Sequence, residues 1–148
     1  MRDCRGDREI QRDELPQLLA LYRHLHPELA GGGPRRQKIW QAIQAAPGYH
    51  IVVAEEGEEL VSTCTLLIVP NLTHLGRPYG LIENVVTHPA HRGQGPGHRL
   101  PEFCPAAGPR AGCYKLMLMT GSKRQSTLHF YERAGYRSDV KTAFLQWL

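Results

Sequence analysis

Glu83 is a carboxylate set inside the apolar, β-branched run Leu81-Ile82-Glu83-Asn84-Val85-Val86-Thr87. Such a run reads as a buried strand. Burial would raise the pKa of a carboxyl group there towards the range of a general base. A Glu83 that faces solvent or pairs with an arginine fits the same run, and residue types alone leave both readings open. His88-Pro89 ends the strand, because proline cannot continue a ladder. Arg92-Gly93-Gln94-Gly95-Pro96-Gly97 follows, a glycine-rich turn expected to open a helix. Strand, glycine turn and helix start can hold a phosphate. Unpaired backbone N–H groups point outward there, the helix dipole favours anions, and glycine lets a ligand come close. Arg92 adds a planar cationic fork suited to phosphate oxygens. An ordinary strand-to-helix loop would have the same composition.

Other chemistries find less support. The spacing Arg-x-x-Gly-x-Gly is not the dinucleotide fingerprint, and no nucleotide phosphate-loop sequence is present. His88 and His91 flank Pro89, but no further ligands converge on them in sequence, so no metal is expected. Cys4, Cys64, Cys104 and Cys113 form no C-x-x-C pair, which points to free thiols. A formal charge of +4, spread along the chain, gives no reason to expect nucleic acid as a partner. It would help attract a polyanionic ligand. No apolar run reaches membrane-spanning length, and Met1 to Asp7 is too charged for a signal peptide, so the expected compartment is cytoplasmic, with no membrane partner.

The elements that must position Glu83 and the turn can be read in order. Residues 1–148 are expected to form one domain. Arg8 to Gln11 is a candidate first edge strand. A helix with Asp13 as cap and Pro16 in its first turn carries Leu15, Leu18, Leu19, Tyr22 and Leu25 at helical spacing, and Pro27 stops it. A second helix from Arg35 to Ala46 puts Ile39, Trp40 and Ile43 on one face. His50 to Ala54 and Leu60 to Val69 read as a hairpin turning at Glu56-Gly57-Glu58. Pro70 to Pro78 is a loop, and Tyr79 to Thr87 is the central strand. A helix up to Ala111, a strand from Tyr114 to Met119 and a helix from Ser122 to Ala134, stopped by Gly135, follow. Lys141 to Leu148 is expected to be a final strand. This order predicts a mixed α/β domain.

Arg92, Gly95 and Gly97 after a central strand match the signature [Gln/Arg]-x-x-Gly-x-[Gly/Ala], and the chain resembles the GNAT superfamily of acetyl-coenzyme A-dependent N-acetyltransferases. Phe130-Tyr131-Glu132-Arg133-Ala134-Gly135-Tyr136 is similar to the family's F-Y-x-x-x-G-[FY] ending. The element order follows the family almost from end to end. The resemblance implies a central, mostly antiparallel sheet with splayed middle strands, flanked by about four helices. It implies acetyl-CoA as cosubstrate, lying beside Val85 and Val86, with Arg92, Gly93, Gln94, Gly95 and Gly97 around the pyrophosphate. It implies Glu83 as the base and Tyr131 as the acid that serves the departing sulfur. Gly112 to Leu118 and Ile82 to Val86 are most similar to glucosamine-phosphate N-acetyltransferases, which makes an amino sugar one implied acceptor. A small-molecule amine is the expected partner, and monomer and homodimer both stay open.

The chemistry has two proton problems. An alkyl amine with a pKa of about 10.4 is almost wholly ammonium at pH 7, and freeing its lone pair unaided costs roughly 4–5 kcal/mol. A carboxylate can take that proton, and a donor can help the thiolate leave. The sequence also departs from the family. Pro96, Pro101, Pro105 and Pro109 fall where an unbroken helix is usual, and an interior proline costs about 3 kcal/mol. An asparagine often found before the tyrosine is missing from Ser122 to Thr127. These departures carry the rival expectation, a non-catalytic coenzyme-binding or interaction domain on the same scaffold.

Overall fold

A computed structural model describes residues 7–29, 33–93 and 107–148. Five strands form one sheet among them: β1 (Arg8–Glu9), β2 (Tyr49–Glu56), β3 (Glu59–Val69), β4 (Tyr79–Thr87) and β5 (Leu116–Leu118). Their order in the sheet is the order in the chain. All neighbours are antiparallel except β4 and β5, which are parallel. The helices are α1 (Leu15–Tyr22), α2 (Gly33–Ala45) and α3 (Gln125–Arg133); residues 107–110 are also helical, and Thr73–Gly76 forms a single turn in which His74 and Leu75 are left-handed. The expected mixed α/β fold and its mostly antiparallel sheet are present.

Alternation along β2 and β3 sorts their side chains onto two faces. Ile51 and Val53 face one way and pack with Leu15, Leu18 and Leu21 of α1, Trp40 of α2, and Val86. Val52, Cys64 and Leu66 face the other way, with Ile82, Val85, Ala107, Leu116, Leu118 and Tyr136. Helical spacing was right for Leu15 and Leu18, but Leu21 rather than Leu25 completes the buried stripe, since α1 ends at Tyr22. Ile39 is 51% exposed, so only Trp40 of α2 is fully inside.

Asp13 is not the helix cap. A 3-10 turn at Arg12–Glu14 precedes α1, and the Glu14 carboxylate accepts from the Gln11 backbone N–H at 2.7 Å. Arg8 donates to both Glu14 oxygens, at 2.8 and 2.6 Å, and to Glu55 at 2.7 Å, tying β1 to α1 and β2. Hydrogen bonding to Arg8 holds the Glu14 carboxyl below its ordinary value of 4.5. A depressed folded pKa means stability that is present above the unfolded value and lost as pH falls through the folded one. The stability advantage of the wild type over Glu14→Gln, measured by denaturant midpoints, should therefore be full at pH 6 and shrink below about pH 4.5.

Gly48 sits where a Cβ would meet the Ile68 carbonyl oxygen at 2.5 Å. The Ile68 N–H donates to the Gly48 carbonyl at 2.7 Å, so strand ends meet backbone to backbone. Gly48→Ala should cost about 1–2 kcal/mol in a urea titration, since main chain must shift to admit the methyl.

Lys141 to Leu148 forms no strand. The segment has no regular structure and every residue in it is exposed. Strand geometry needs a ladder partner, and the sheet ends at β5 without taking this segment in. Cys64 and Cys113 are buried and in no disulfide; Cys4 and Cys104 lie outside the described residues. No helix among the described residues is long and apolar enough to cross a membrane.

Candidate active site

β4 is paired along its β3 side but only partly along its β5 side. Gly80, Leu81 and Ile82 pair with Leu116, Met117 and Leu118. From Glu83 to Thr87 no β5 residue lies opposite, so this half of β4 has an open edge towards β5 among the described residues. A Cβ on Gly80 would meet Leu116 Cδ2, so the Leu116 side chain packs over the glycine where the two strands are paired. The splay expected of the middle strands is located here.

A β-bulge marks the same point. Thr65 pairs with Glu83 and Thr63 with Val86, so Asn84 and Val85 together stand against Cys64. Asn84 takes φ +51°, a left-handed conformation that asparagine tolerates better than β-branched residues. The extra residue changes which face each side chain takes. Glu83 shares the face of its partner Thr65, towards α1. Val85 packs in the opposite cluster with Ile82 and Tyr136, and Val86 returns to the α1 cluster. Glu83 is half-buried, so it is neither locked in the core nor freely solvated.

Tyr22 of α1 stands over this face. Burial pushes its phenol pKa up, against hydrogen bonding towards Thr65 and Asn84. The Thr65 hydroxyl is buried and makes no hydrogen bond of ordinary geometry, and the Tyr22 phenol interacts with it. A cavity of about 380 Å³ opens between α1, α2 and β4. Leu19, Tyr22, Trp40, Tyr49 and Asn84 line it, and Arg35 and Arg36 border it. The sequence reading placed Tyr22 on the apolar stripe and assigned no role to Asn84. Asn84 had a signal, as the lone amide in an apolar strand. Tyr22 had none, because its partners lie 43 and 62 residues away.

Beyond β4, Pro89–His91 makes a 3-10 turn. The Arg92 side chain folds back, its Nε donating to the Thr87 carbonyl at 3.1 Å, which fixes the guanidinium at the end of the open edge. Gly93 takes φ +75°, where a side chain would be strained. Gln94, Gly95 and Gly97, with Pro96, Pro101 and Pro105, lie outside the described residues. Pro109 is among the helical residues 107–110. His91 Nδ1 lies 2.9 Å from Glu56, and the His88 ring meets His24 edge-on at 4.7 Å.

Tyr131 is half-buried on α3. Its ring stands edge-on to Phe130, centroids 5.1 Å apart, and to Tyr136 at 6.2 Å. Tyr136 packs in the cluster that holds Val85 and Leu118. Through that contact Tyr131 belongs to the face opposite Glu83.

Comparison with known proteins agrees with this geometry. The acetyltransferase (GNAT) family profile matches residues 15–136. Over 80 residues the chain is 39% identical to a glucosamine 6-phosphate N-acetyltransferase of Trypanosoma brucei brucei, a match spanning 53% of this chain and 52% of that protein. The chain therefore aligns with only about half the length of this curated relative. Among solved structures, a protein of Agrobacterium tumefaciens str. C58 assigned as an acetyltransferase is 40% identical, with TM-score 0.90 over 97% of this chain and 99% of that one. A Trypanosoma brucei acetyltransferase is 28% identical, with TM-score 0.81 over 96% and 99%. A family match across most of the chain, residues 15–136, shows that this protein belongs to the GNAT acetyltransferases.

Proposed function

We propose that the protein transfers the acetyl group of acetyl-CoA to a primary amine of a small molecule, by direct transfer in a ternary complex. The observation that carries this reading is the open edge of β4 from Glu83 to Thr87, with Glu83 on the α1 face and Tyr131 joined through Tyr136 to the cluster on the opposite face. An extended pantetheine arm can pair with such an edge as an added strand would. Arg92 and Gly93, at the end of that edge, suit a diphosphate. Acetyl-CoA supplies the activated acyl group when bound.

Each step falls to a group of this chain. Glu83 takes the ammonium proton, directly or through one water, so that the neutral nitrogen can attack the acetyl carbonyl carbon. A backbone N–H at Val85 or Val86 polarises the carbonyl oxygen as negative charge develops on it. Tyr131 donates a proton to the sulfur as the carbon–sulfur bond breaks, and the proton left in surplus on the attacking nitrogen passes to solvent, giving the neutral amide and the free thiol. The cavity beside Asn84, on the face that Glu83 shares, is the acceptor site in this reading. An amino sugar is the leading candidate acceptor, supported by the activity named for the Trypanosoma relative and by two arginines at the rim that suit an anionic substituent.

The test is a thermal-shift titration with acetyl-CoA, followed by thiol release over a panel of amines that includes glucosamine 6-phosphate. Stabilisation together with amine-dependent thiol release is expected. Stabilisation with no release from any amine would favour a binding domain on the same scaffold, and no stabilisation would remove the cosubstrate.

A further inference from the structure

The cavity beside Asn84 is where the core on the α1 face is left unfinished. Leu19, Tyr22, Ile43 and Tyr49 pack against that core while staying only partly buried, and all four line the cavity. Trp40 is part of the same wall. Its indole Nε1 already donates to the Arg12 carbonyl at 3.0 Å, so the ring offers the cavity apolar surface. The Tyr22 phenol is engaged with Thr65 and Asn84. The β2 backbone at this level is committed to its ladder, Tyr49 opposite Leu67 and Ile51 opposite Thr65. Apart from the two phenols, polar side chains come from two elements. β4 gives Asn84, next to Glu83, and the first turn of α2 gives Arg35 and Arg36. No Asp or Glu lines the cavity among the described residues.

A ligand covered in hydroxyls needs a partner for each one that it buries, and walls of this kind answer few of them. An apolar body gains from the same walls. Each methylene taken out of water strengthens binding roughly fourfold, and an aromatic ring packs edge-on or offset against Trp and Tyr. Room is sufficient, since an apolar cavity of about 150 Å³ already holds benzene. The cavity here has about 380 Å³. We infer that it recognises a second class of acceptor besides amino sugars: primary amines with an aromatic or branched alkyl body and an anionic group at the far end. The amine lies at Asn84 and Glu83, the body against Leu19, Trp40 and Tyr49, and the anion at Arg35 and Arg36.

The inference rests on the reading of this cavity as the acceptor site. The step is the one proposed above. The nitrogen–carbon bond of the acetamide forms and the carbon–sulfur bond of acetyl-CoA breaks. Of the two protons that the ammonium loses, one ends on the thiol and one in solvent. Tyramine O-phosphate has the amine, the ring and the anion, phenethylamine lacks the anion, and phosphoethanolamine lacks the ring.

Trp40 and Trp147 are the two tryptophans of the chain, and Trp147 is exposed, so Trp147→Phe leaves Trp40 as the reporter. Tyramine O-phosphate should change the fluorescence of this variant saturably, and phenethylamine and phosphoethanolamine should each bind about tenfold or more weakly. Adding Ile39→Asp puts a carboxylate on an exposed position of the lining and should weaken tyramine O-phosphate about tenfold or more. If that variant does not fold, Arg35→Gln/Arg36→Gln takes its place and should remove the advantage over phenethylamine. Thiol release from acetyl-CoA should rank the three amines in the same order by kcat/KM. No response of Trp40 to tyramine O-phosphate, or an affinity that the variants leave unchanged, overturns the inference. Thiol release with glucosamine 6-phosphate and none with tyramine O-phosphate overturns it too, and leaves the proposed reaction standing. Tyramine O-phosphate binding that the variants weaken, with no thiol release from any amine, upholds the recognition and places the failure in the proposed reaction.

Discussion

Glu83→Gln is expected to lower turnover at pH 7 about 10³-fold, close to 4 kcal/mol, while the thermal shift produced by acetyl-CoA stays as in the wild type. The amide keeps the size and polarity of the side chain and cannot accept a proton. The variant must wait for the neutral fraction of the amine, which is about one part in 10³ or less at pH 7 for a pKa near 10.4. Its rate should therefore rise about tenfold per pH unit towards that value, and the gap to the wild type should narrow as pH increases. Thiol release followed from pH 6.5 to 9 measures both features. A variant as fast as the wild type would remove Glu83 from the reaction.

The second large effect is at Tyr131. Replacing it by Phe keeps the edge-on contacts with Phe130 and Tyr136 and removes only the hydroxyl. A drop of about 10²-fold in turnover is expected, at the lower end for a general acid, because a thiolate with a pKa near 8.5 already leaves without much help. Stability should be close to the wild type, since the ring still fills its place. A Tyr131→Phe variant that unfolds easily but turns over normally would instead make Tyr131 a packing residue.

The local part of this fold was legible in the residues. Alternation gave the β2–β3 hairpin, and spacing gave the α1 stripe through Leu15 and Leu18. Gly135 ended the last helix as expected, with φ +93°. What failed depended on partners distant in sequence. Asp13 looks as good a cap as Glu14 until Arg8 is seen to hold Glu14 against Glu55, 41 residues further on. Lys141 to Leu148 was expected to be a strand, but nothing in its own residues supplies the ladder partner that a strand needs. Within the site, Glu83 stood out as a charged residue in an apolar run, and Asn84 beside it was given no role although it carried the same kind of signal. Their directions did not, because one bulge against Cys64 decides which face each side chain takes.

In the reaction proposed, the bulge and the splay let a donor and an acceptor act from opposite faces. An intact sheet would separate Glu83 from Tyr131 by a layer of backbone. With β5 ended at Leu118, the edge of β4 is open at that level, and a thioester there can be approached from both sides.

A crystal structure with bound coenzyme A tests the central claim most directly. The account predicts density for the pantetheine arm along the open edge of β4, paired to main chain at Val85 and Val86, with the diphosphate at Arg92 and Gly93 and the sulfur within reach of the Tyr131 hydroxyl. Coenzyme bound elsewhere, or β4 and β5 closed against each other past Ile82 with no room between them, would contradict it.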